Sequence, residues 1–170
     1  MLIALMGAPG AGKDTIAKRL VEQHAFVRFA FADKVRELAY ELLPPHERSR
    51  IDGVGWDRAK QSETFRKTLE WVGDGARKVF GEEFWIEQIF EEVKTAIIND
   101  ANIVITDLRK ENELDFVQNF DGIIWHVHRP GCERRPFDEW REEWAAFSIP
   151  NFGEIEDLHR HVDECLELCR

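Results

Sequence analysis

A chain of 170 residues, 44% hydrophobic and 33% charged, suits one soluble domain with a substantial core. Its formal net charge of −10 excludes a long nucleic-acid partner, whose phosphates demand a broad basic face, but not a single small anion in a local basic pocket. Three scattered cysteines make no disulfide framework and point to reduced thiols in a cytoplasmic setting. No charged leader precedes the first apolar run and no apolar stretch reaches membrane-spanning length, so neither a signal peptide nor a membrane partner is expected.

In chain order, residues 2–6 read as a short buried strand that stops at a glycine-rich turn. A helix over 13–24 follows, with Ile16, Ala17, Leu20 and Val21 on its apolar side. A second strand covers 26–31, and Asp33 is placed to cap a helix that ends at Pro44-Pro45. The polar segment 46–60, with Gly53 and Gly55, reads as a loop or mobile insert. Helices over 62–79 and 83–99, a strand over 102–106, a short helix over 111–119 and a strand over 123–128 come next. A charged flap over 129–143, a strand over 144–149 and a helix over 153–169, with Ile155, Leu158, Val162 and Leu166 in one stripe, complete the chain. Strands alternating with helices imply an α/β fold with a five-stranded parallel sheet covered on both faces.

The run Gly7-Ala8-Pro9-Gly10-Ala11-Gly12-Lys13-Asp14-Thr15 carries the strongest chemical signal. Its glycines allow a curled backbone whose N–H groups converge on phosphate oxygens, and the following helix adds its positive dipole end. Lys13 supplies a full charge for the β- and γ-phosphates of ATP. The strict pattern has Ser or Thr directly after the lysine, whereas here Asp14 intervenes before Thr15. Asp14 either reaches a metal through water or caps the helix.

The helix over 62–79 carries two stripes. Phe65, Leu69, Val72, Ala76 and Val79 form an apolar face, while Arg66, Glu70, Gly73 and Arg77 form a second one. A glycine in a helix interior costs about 1 kcal/mol relative to alanine, so Gly73 implies close approach of a ligand or another backbone. Asp107 and Arg109 follow a strand, where open parallel sheets bind ligands; Asp107 suits Mg²⁺ held partly through water and Arg109 suits a phosphate. Arg36, after the second strand, and Arg129, Arg134 and Arg135 in the flap are further phosphate candidates. Each has a plain alternative as a solvated charge, strengthened in the flap by Glu133, Asp138 and Glu139. His126 and His128, and His161 with Cys165, have metal-compatible spacing but read as packing residues, and the six tryptophans read as core, with Trp85 an exception near substrate.

Together these segments resemble the bacteriophage-type deoxynucleoside monophosphate kinases, within the adenylate-kinase-like P-loop proteins. Gly12-Lys13-Asp14-Thr15 is similar to that family's GKDT, and the shifted GxPGxGKxT form is shared with adenylate kinases. Arg66 through Asp74, with Leu69, Glu70 and Gly73, resembles its R-x-x-L-Q-x-L-G-T helix, and Arg77 with Phe84-Trp85 also fits. Asp107-Leu108-Arg109 followed by Asn112-Glu113 resembles its D-x-R-x-x-N-E segment, and His126 through Gly131 its HVxRPG run. Asn151 and Gly153 resemble the loop that packs on adenine in such kinases. The likeness spans the chain except the insert around 44–60 and the flap. Glu70 stands in place of Gln and Asp74 in place of Thr; an ionised Glu70 facing the base only accepts hydrogen bonds, which favours cytosine, adenine or guanine over thymine.

The resemblance implies a single P-loop kinase domain over 1–170, with an NMP-binding helical region over 32–99 and a lid over 129–143. It implies transfer of the γ-phosphoryl of ATP, with Mg²⁺, to a (deoxy)nucleoside monophosphate. Lys13, Arg109, Arg129 and Arg134 are the expected catalytic residues. Gly7 to Thr15, Asn151 and Gly153 are expected to hold ATP, and Thr15 and Asp107 the metal. Asp33, Arg36, Arg66, Glu70, Gly73, Asp74, Arg77, Trp85 and Arg109 are expected at the acceptor. Small nucleotides are the implied partners of a monomer or homodimer in the cytoplasm, a host's if the source is viral. Rival readings are a kinase of dephospho-CoA, phosphomevalonate or shikimate, or a P-loop ATP-binding protein without catalysis.

Overall fold

The structure, a computed structural model, describes residues 1–59, 62–136 and 138–169. Lys60, at the end of the segment expected to be a loop, and Phe137, inside the expected flap, lie outside the described residues. The elements run β1 (Leu2–Met6), α1 (Lys13–His24), β2 (Phe26–Phe29), α2 (Phe31–Leu42), α3 (Pro45–Val54), α4 (Trp56–Ala59), α5 (Glu63–Phe80), α6 (Phe84–Ile98), β3 (Asn102–Ile105), α7 (Glu111–Gln118), β4 (Ile123–His128), a 3₁₀ turn (Glu142–Trp144), β5 (Phe147–Pro150) and α8 (Ile155–Leu168). Two compact units result, one of Met1–Ala30 with Phe90–Arg170 and one of Phe31–Ile89. Among the described residues no helix is long and apolar enough to cross a membrane.

The first unit holds the sheet, with all five strands parallel in the order β2-β3-β1-β4-β5, as the alternation of strands and helices predicts. β1 is central, with Ile3 opposite Val104 on one side and Ile123 on the other. All five of its residues are buried, as expected of a strand covered on both faces. Leu5, Trp125, Val127 and Ile149 of the sheet pack with Ile16 and Leu20 of α1 and Leu158, Val162 and Leu166 of α8. The edges of the predicted stripes are looser, since Val21 and Ile155 are exposed. Asp163 of α8 pins α1 by accepting from Arg19 at 2.7 Å and pairing with His24 at 2.8 Å. The Arg19 hydrogen bond holds the Asp163 carboxyl below its ordinary pKa.

The second unit is helical and has two small cores. Ala39, Val72, Ala76 and Trp85 form one, and Ile51, Ala59 and Phe65 the other. Residues 45–54 and 56–59 are helices rather than the loop expected there. Pro44-Pro45 was readable as a helix stop, yet proline at the first helical position is equally a start, because its missing N–H has no intrahelical partner there anyway. Ile51 anchors this helix in the second core, and Gly55, at φ 76°, ends it with its N–H on the Ile51 carbonyl at 2.7 Å.

Other boundaries shift for identifiable reasons. β2 stops at Phe29 and α2 begins at Phe31, so Asp33 lies inside the first turn instead of at the cap, where it pairs with Arg36. β5 begins at Phe147 because the residues before it form the 3₁₀ turn. Val79 is exposed at the end of α5, so the buried face of that helix comprises Phe65, Val72, Gly73 and Ala76, with Leu69 partly covered.

Candidate active site

Between β1 and α1 the chain takes three left-handed glycine conformations, at Gly7 (φ 139°), Gly10 (φ 78°) and Gly12 (φ 111°). Two of these positions are also sterically closed to a side chain. A Cβ on Gly7 would lie 2.3 Å from the Val127 carbonyl oxygen of β4, and one on Gly12 would lie 2.5 Å from the Asn151 amide nitrogen. Asn151, at the end of β5, donates to the Ala11 carbonyl at 2.8 Å and braces the loop from below. Gly10 is open, with Cys132 Sγ at 3.6 Å from where its Cβ would stand. Pro9 and Asp14 are exposed, while Ala8 and Ala11 are buried and Thr15 is half-buried.

Lys13 folds back over this loop and donates to the Gly7 carbonyl at 2.7 Å and the Ala8 carbonyl at 2.9 Å. Burial and then the nearby Arg109 guanidinium push its pKa from 10.5 down to about 8, against the opposing pull of Asp14, Asp107 and Asp138. Two cations set close together in this way are a favourable setting for an anion.

Asp107 and Arg109 lie just past β3, in the loop before α7, and Asp107 is buried. That loop is held in place by Glu113, itself buried, whose Oε2 accepts the backbone N–H groups of Arg109 (2.8 Å) and Lys110 (3.0 Å). From the other side, the Glu139 and Trp140 N–H groups both donate to the Arg109 carbonyl, at 2.7 and 3.0 Å. Lys110 adds an ion pair to Glu139 at 2.8 Å. The described part of the flap is therefore hydrogen-bonded to the Arg109 loop. Within the flap Arg134 donates to the Trp140 carbonyl at 2.9 Å and lies over its ring, while Arg129 is exposed.

Two residues here had little voice in the sequence. Glu113 appears only as part of a family-like run, although an acid at the third helical position is a recognised acceptor for the N-cap N–H, the bond it makes to Lys110. In the sequence Asp138 groups with the flap's other acids, and nothing local distinguishes it from Glu133 or Glu139. It is 4% exposed, its Oδ2 accepts from the Arg135 N–H at 3.1 Å, and its Oδ1 has no hydrogen-bond partner among the described residues.

The remaining candidates of the first unit are simpler. Gly153 lies before α8, where a Cβ would meet the end of the Asp157 side chain at 2.5 Å. His126 is buried against Trp140 (ring centroids 5.2 Å apart) and burial lowers its pKa, whereas His128 is exposed with an edge-on contact to Phe152. His161 pairs with the Pro150 carbonyl at 3.3 Å and Cys165 packs on the core. Among the described residues no group of three or more His, Cys, Asp or Glu could hold a metal ion. Mg²⁺ does not require one, since it keeps much of its water and binds through one or two protein oxygens plus phosphates; the Thr15 hydroxyl and Asp107 carboxylate are such hard donors.

In the second unit, α5 exposes Arg66, Glu70 and Asp74, while Arg77 is largely covered and lies 4.0 Å from Asp74. Gly73 is buried beneath α2, with Val35 at an ordinary 3.6 Å from where a Cβ would stand, and its carbonyl accepts the Trp85 indole N–H at 2.9 Å. Asp33, Arg36 and Trp85 line a shared cavity of about 790 Å³ that Arg66, Glu70, Asp74 and Arg77 do not line. Of the six tryptophans, Trp85, Trp125 and Trp140 are buried, but Trp71 is 74% exposed and so is not core.

No protein-family model matches the chain. It is 27% identical over 192 residues to a protein of Acanthamoeba polyphaga mimivirus named "Putative deoxynucleotide monophosphate kinase", over 98% of this chain and 96% of that one. Among solved structures it is similar to a dephospho-CoA kinase from Campylobacter jejuni, with a TM-score of 0.56 and 12% identity over 99% of this chain and 96% of the other. A gluconokinase from Sinorhizobium meliloti matches with a TM-score of 0.52 and 13% identity, over 98% and 91% of the two chains. A sugar kinase from Janibacter matches with a TM-score of 0.53 and 13% identity, over 98% and 94%. At these identities the structures speak for the fold alone, and the fold is that of the P-loop kinases. The resemblance read from the sequence is borne out in fold and in kinase class.

Proposed function

We propose that the chain is a nucleoside monophosphate kinase that moves the γ-phosphoryl group of ATP onto a deoxynucleoside monophosphate, giving ADP and the diphosphate. The observation that carries this reading is the glycine-rich loop, closed to side chains at Gly7 and Gly12, with Lys13 folded over it, on a chain that aligns almost end to end with a relative named "Putative deoxynucleotide monophosphate kinase". The helical unit 31–89 would receive the acceptor through residues such as Arg36, Arg66 and Arg77, and the flap 129–143 would serve as the lid.

The acceptor phosphate is already ionised near neutral pH, so positioning and charge neutralisation suffice. Lys13 leaves the Gly7 and Ala8 carbonyls for the β- and γ-phosphates, and the loop amides orient them. Thr15 and Asp107 would hold Mg²⁺, partly through water, and its charge offsets that of the phosphates. The bond between the γ-phosphorus and its bridging oxygen breaks while an acceptor phosphate oxygen takes its place. Arg109, with Arg129 or Arg134 from the flap, offsets the charge spread over the moving group. Asn151 and Gly153 would border the adenine.

Because Lys13 titrates near 8 in the free protein, affinity for Mg·ATP should weaken as pH rises through that value, about tenfold between pH 7 and 9 for a single required proton. Calorimetric titrations at the two pH values check this, and Lys13→Arg should flatten the dependence because arginine keeps its charge.

A second reading, a kinase for another small acceptor such as dephospho-CoA, finds support in Asp138. A buried carboxylate with an unpartnered oxygen is what a hydroxyl acceptor needs as a base and a phosphate acceptor does not. A coupled ADP-release assay with ATP, Mg²⁺ and each common deoxynucleoside monophosphate separates the two. Acceptor-dependent release with one or more of them supports the nucleotide kinase; release only with a hydroxyl acceptor transfers the assignment.

A further inference from the structure

The α3–α4 segment lies outside the family resemblance, yet α4 contributes to the cavity of the helical unit. That cavity, about 790 Å³, falls within the usual range for small-ligand pockets. Arg36 and Lys34 line it from the first half of α2, Tyr40 from the second half, Trp56 from α4, and Phe84 and Trp85 from the start of α6. Positions 36 and 40 differ by about 6 Å of rise along the helix, comparable with the reach from a nucleotide's 5′-phosphate to its base. One stretch of α2 thus sets Arg36 and Lys34, each beside an acid, next to an open aromatic groove.

Two of these aromatic side chains hold hydrogen bonds within the helical unit. Tyr40 and Trp56 lie 6.4 Å apart at 60°, with the Tyr40 hydroxyl donating to Asp52 of α3 at 2.9 Å. Phe84 meets Trp85 edge-on at 4.8 Å, and the Trp85 N–H is taken by Gly73. The acids along the same helix are partnered, Asp33 with Arg36, Glu37 with Lys34 at 3.3 Å and Glu41 with Arg48 at 3.6 Å, so a phosphate bound here takes Arg36 in competition with Asp33. Glu70, by contrast, is on α5 and does not line this space.

We infer that the cavity bounded by α2, α4 and α6 takes the planar base of the acceptor nucleotide against Trp56 and Tyr40, with Arg36 toward its phosphate. This rests on the nucleotide-kinase reading above and makes the inserted segment, rather than Glu70, the wall that receives the base. Stacking on an aromatic side chain tolerates any base, so such a wall favours a broad set of monophosphates.

The test titrates wild type, Trp56→Phe and Trp56→Ala with dAMP, dCMP, dGMP and dTMP, without ATP, by tryptophan fluorescence, and measures KM for acceptor and for ATP. Quenching is expected in wild type and should be reduced in both variants, the remainder reporting Trp85 in the same cavity. The acceptor KM should rise about tenfold in Trp56→Ala and less than threefold in Trp56→Phe, with the ATP KM unchanged. Because Trp56 also packs on the Ile51 core, Trp56→Phe serves as the folded reference and circular dichroism confirms it for both. Transfer to monophosphates with quenching and acceptor KM untouched by either substitution overturns the inference alone. Quenching that depends on Trp56 without transfer to any of the four keeps the site and removes the kinase reading, and neither quenching nor transfer removes both.

Discussion

Lys13→Ala is expected to reduce phosphoryl transfer by at least about 10³-fold in the ADP-release assay while leaving the circular dichroism spectrum unchanged. Arg109 also contributes charge to the site, but Lys13 alone reaches the loop carbonyls, within 2.7 and 2.9 Å, and no other described cation replaces it there. Stability should not fall with activity. Burial disfavours the charged lysine in the native protein, a penalty fully present below a pH of about 8, where native and unfolded chains both hold the proton. Between about 8 and 10.5 the unfolded chain binds the proton and the native one has lost it, so the wild type gains stability with rising pH. Urea unfolding should accordingly find the variant as stable as wild type or more so at pH 7, with any advantage shrinking toward pH 10. Full activity in the variant would end the kinase reading.

Gly7→Ala is expected to be the most damaging single methyl in the chain. The φ of 139° lies where L-residues are strained by about 1–3 kcal/mol, and the added carbon would stand 2.3 Å from a backbone oxygen of β4. That oxygen belongs to Val127, a fully buried residue paired with Ile149 of β5, so relief would require moving a strand. We expect a loss of more than about 3 kcal/mol in urea unfolding, and no measurable ATP binding in whatever remains folded. Gly10→Ala is the internal comparison. It has a positive φ of 78° too, but its nearest neighbour would be Cys132 Sγ at an ordinary 3.6 Å, so its cost should be confined to backbone strain.

Where one physical cause dominated, the sequence was readable. The unbroken apolar run of β1 had to be a buried central strand, and Gly7 to Lys13 had to be a turn into a helix, because few residues besides glycine adopt those angles. Where two causes share a signal, it was not. Pro44-Pro45 serves equally as stop and start, and the buried Ile51 that decides for a helix is a single residue in a polar stretch. Gly73 implies close approach of a ligand or another backbone, yet a Cβ there would meet only the Val35 side chain, at ordinary contact distance. Asp138 was illegible, since its burial arises from the fold of the flap and not from its neighbours in sequence.

β2 and β3 are neighbours in the sheet, with Phe26 opposite Asn102, yet the entire helical unit is threaded between them. Closing so long a loop is entropically cheap to extend, since doubling its length adds only about 0.6 kcal/mol. The excursion between these two strands can therefore lengthen, shorten or be rebuilt at little thermodynamic penalty to the sheet that carries the phosphate loop. With the acceptor on the helical unit, as proposed above, such a scaffold lets acceptor recognition drift while the donor chemistry stays fixed.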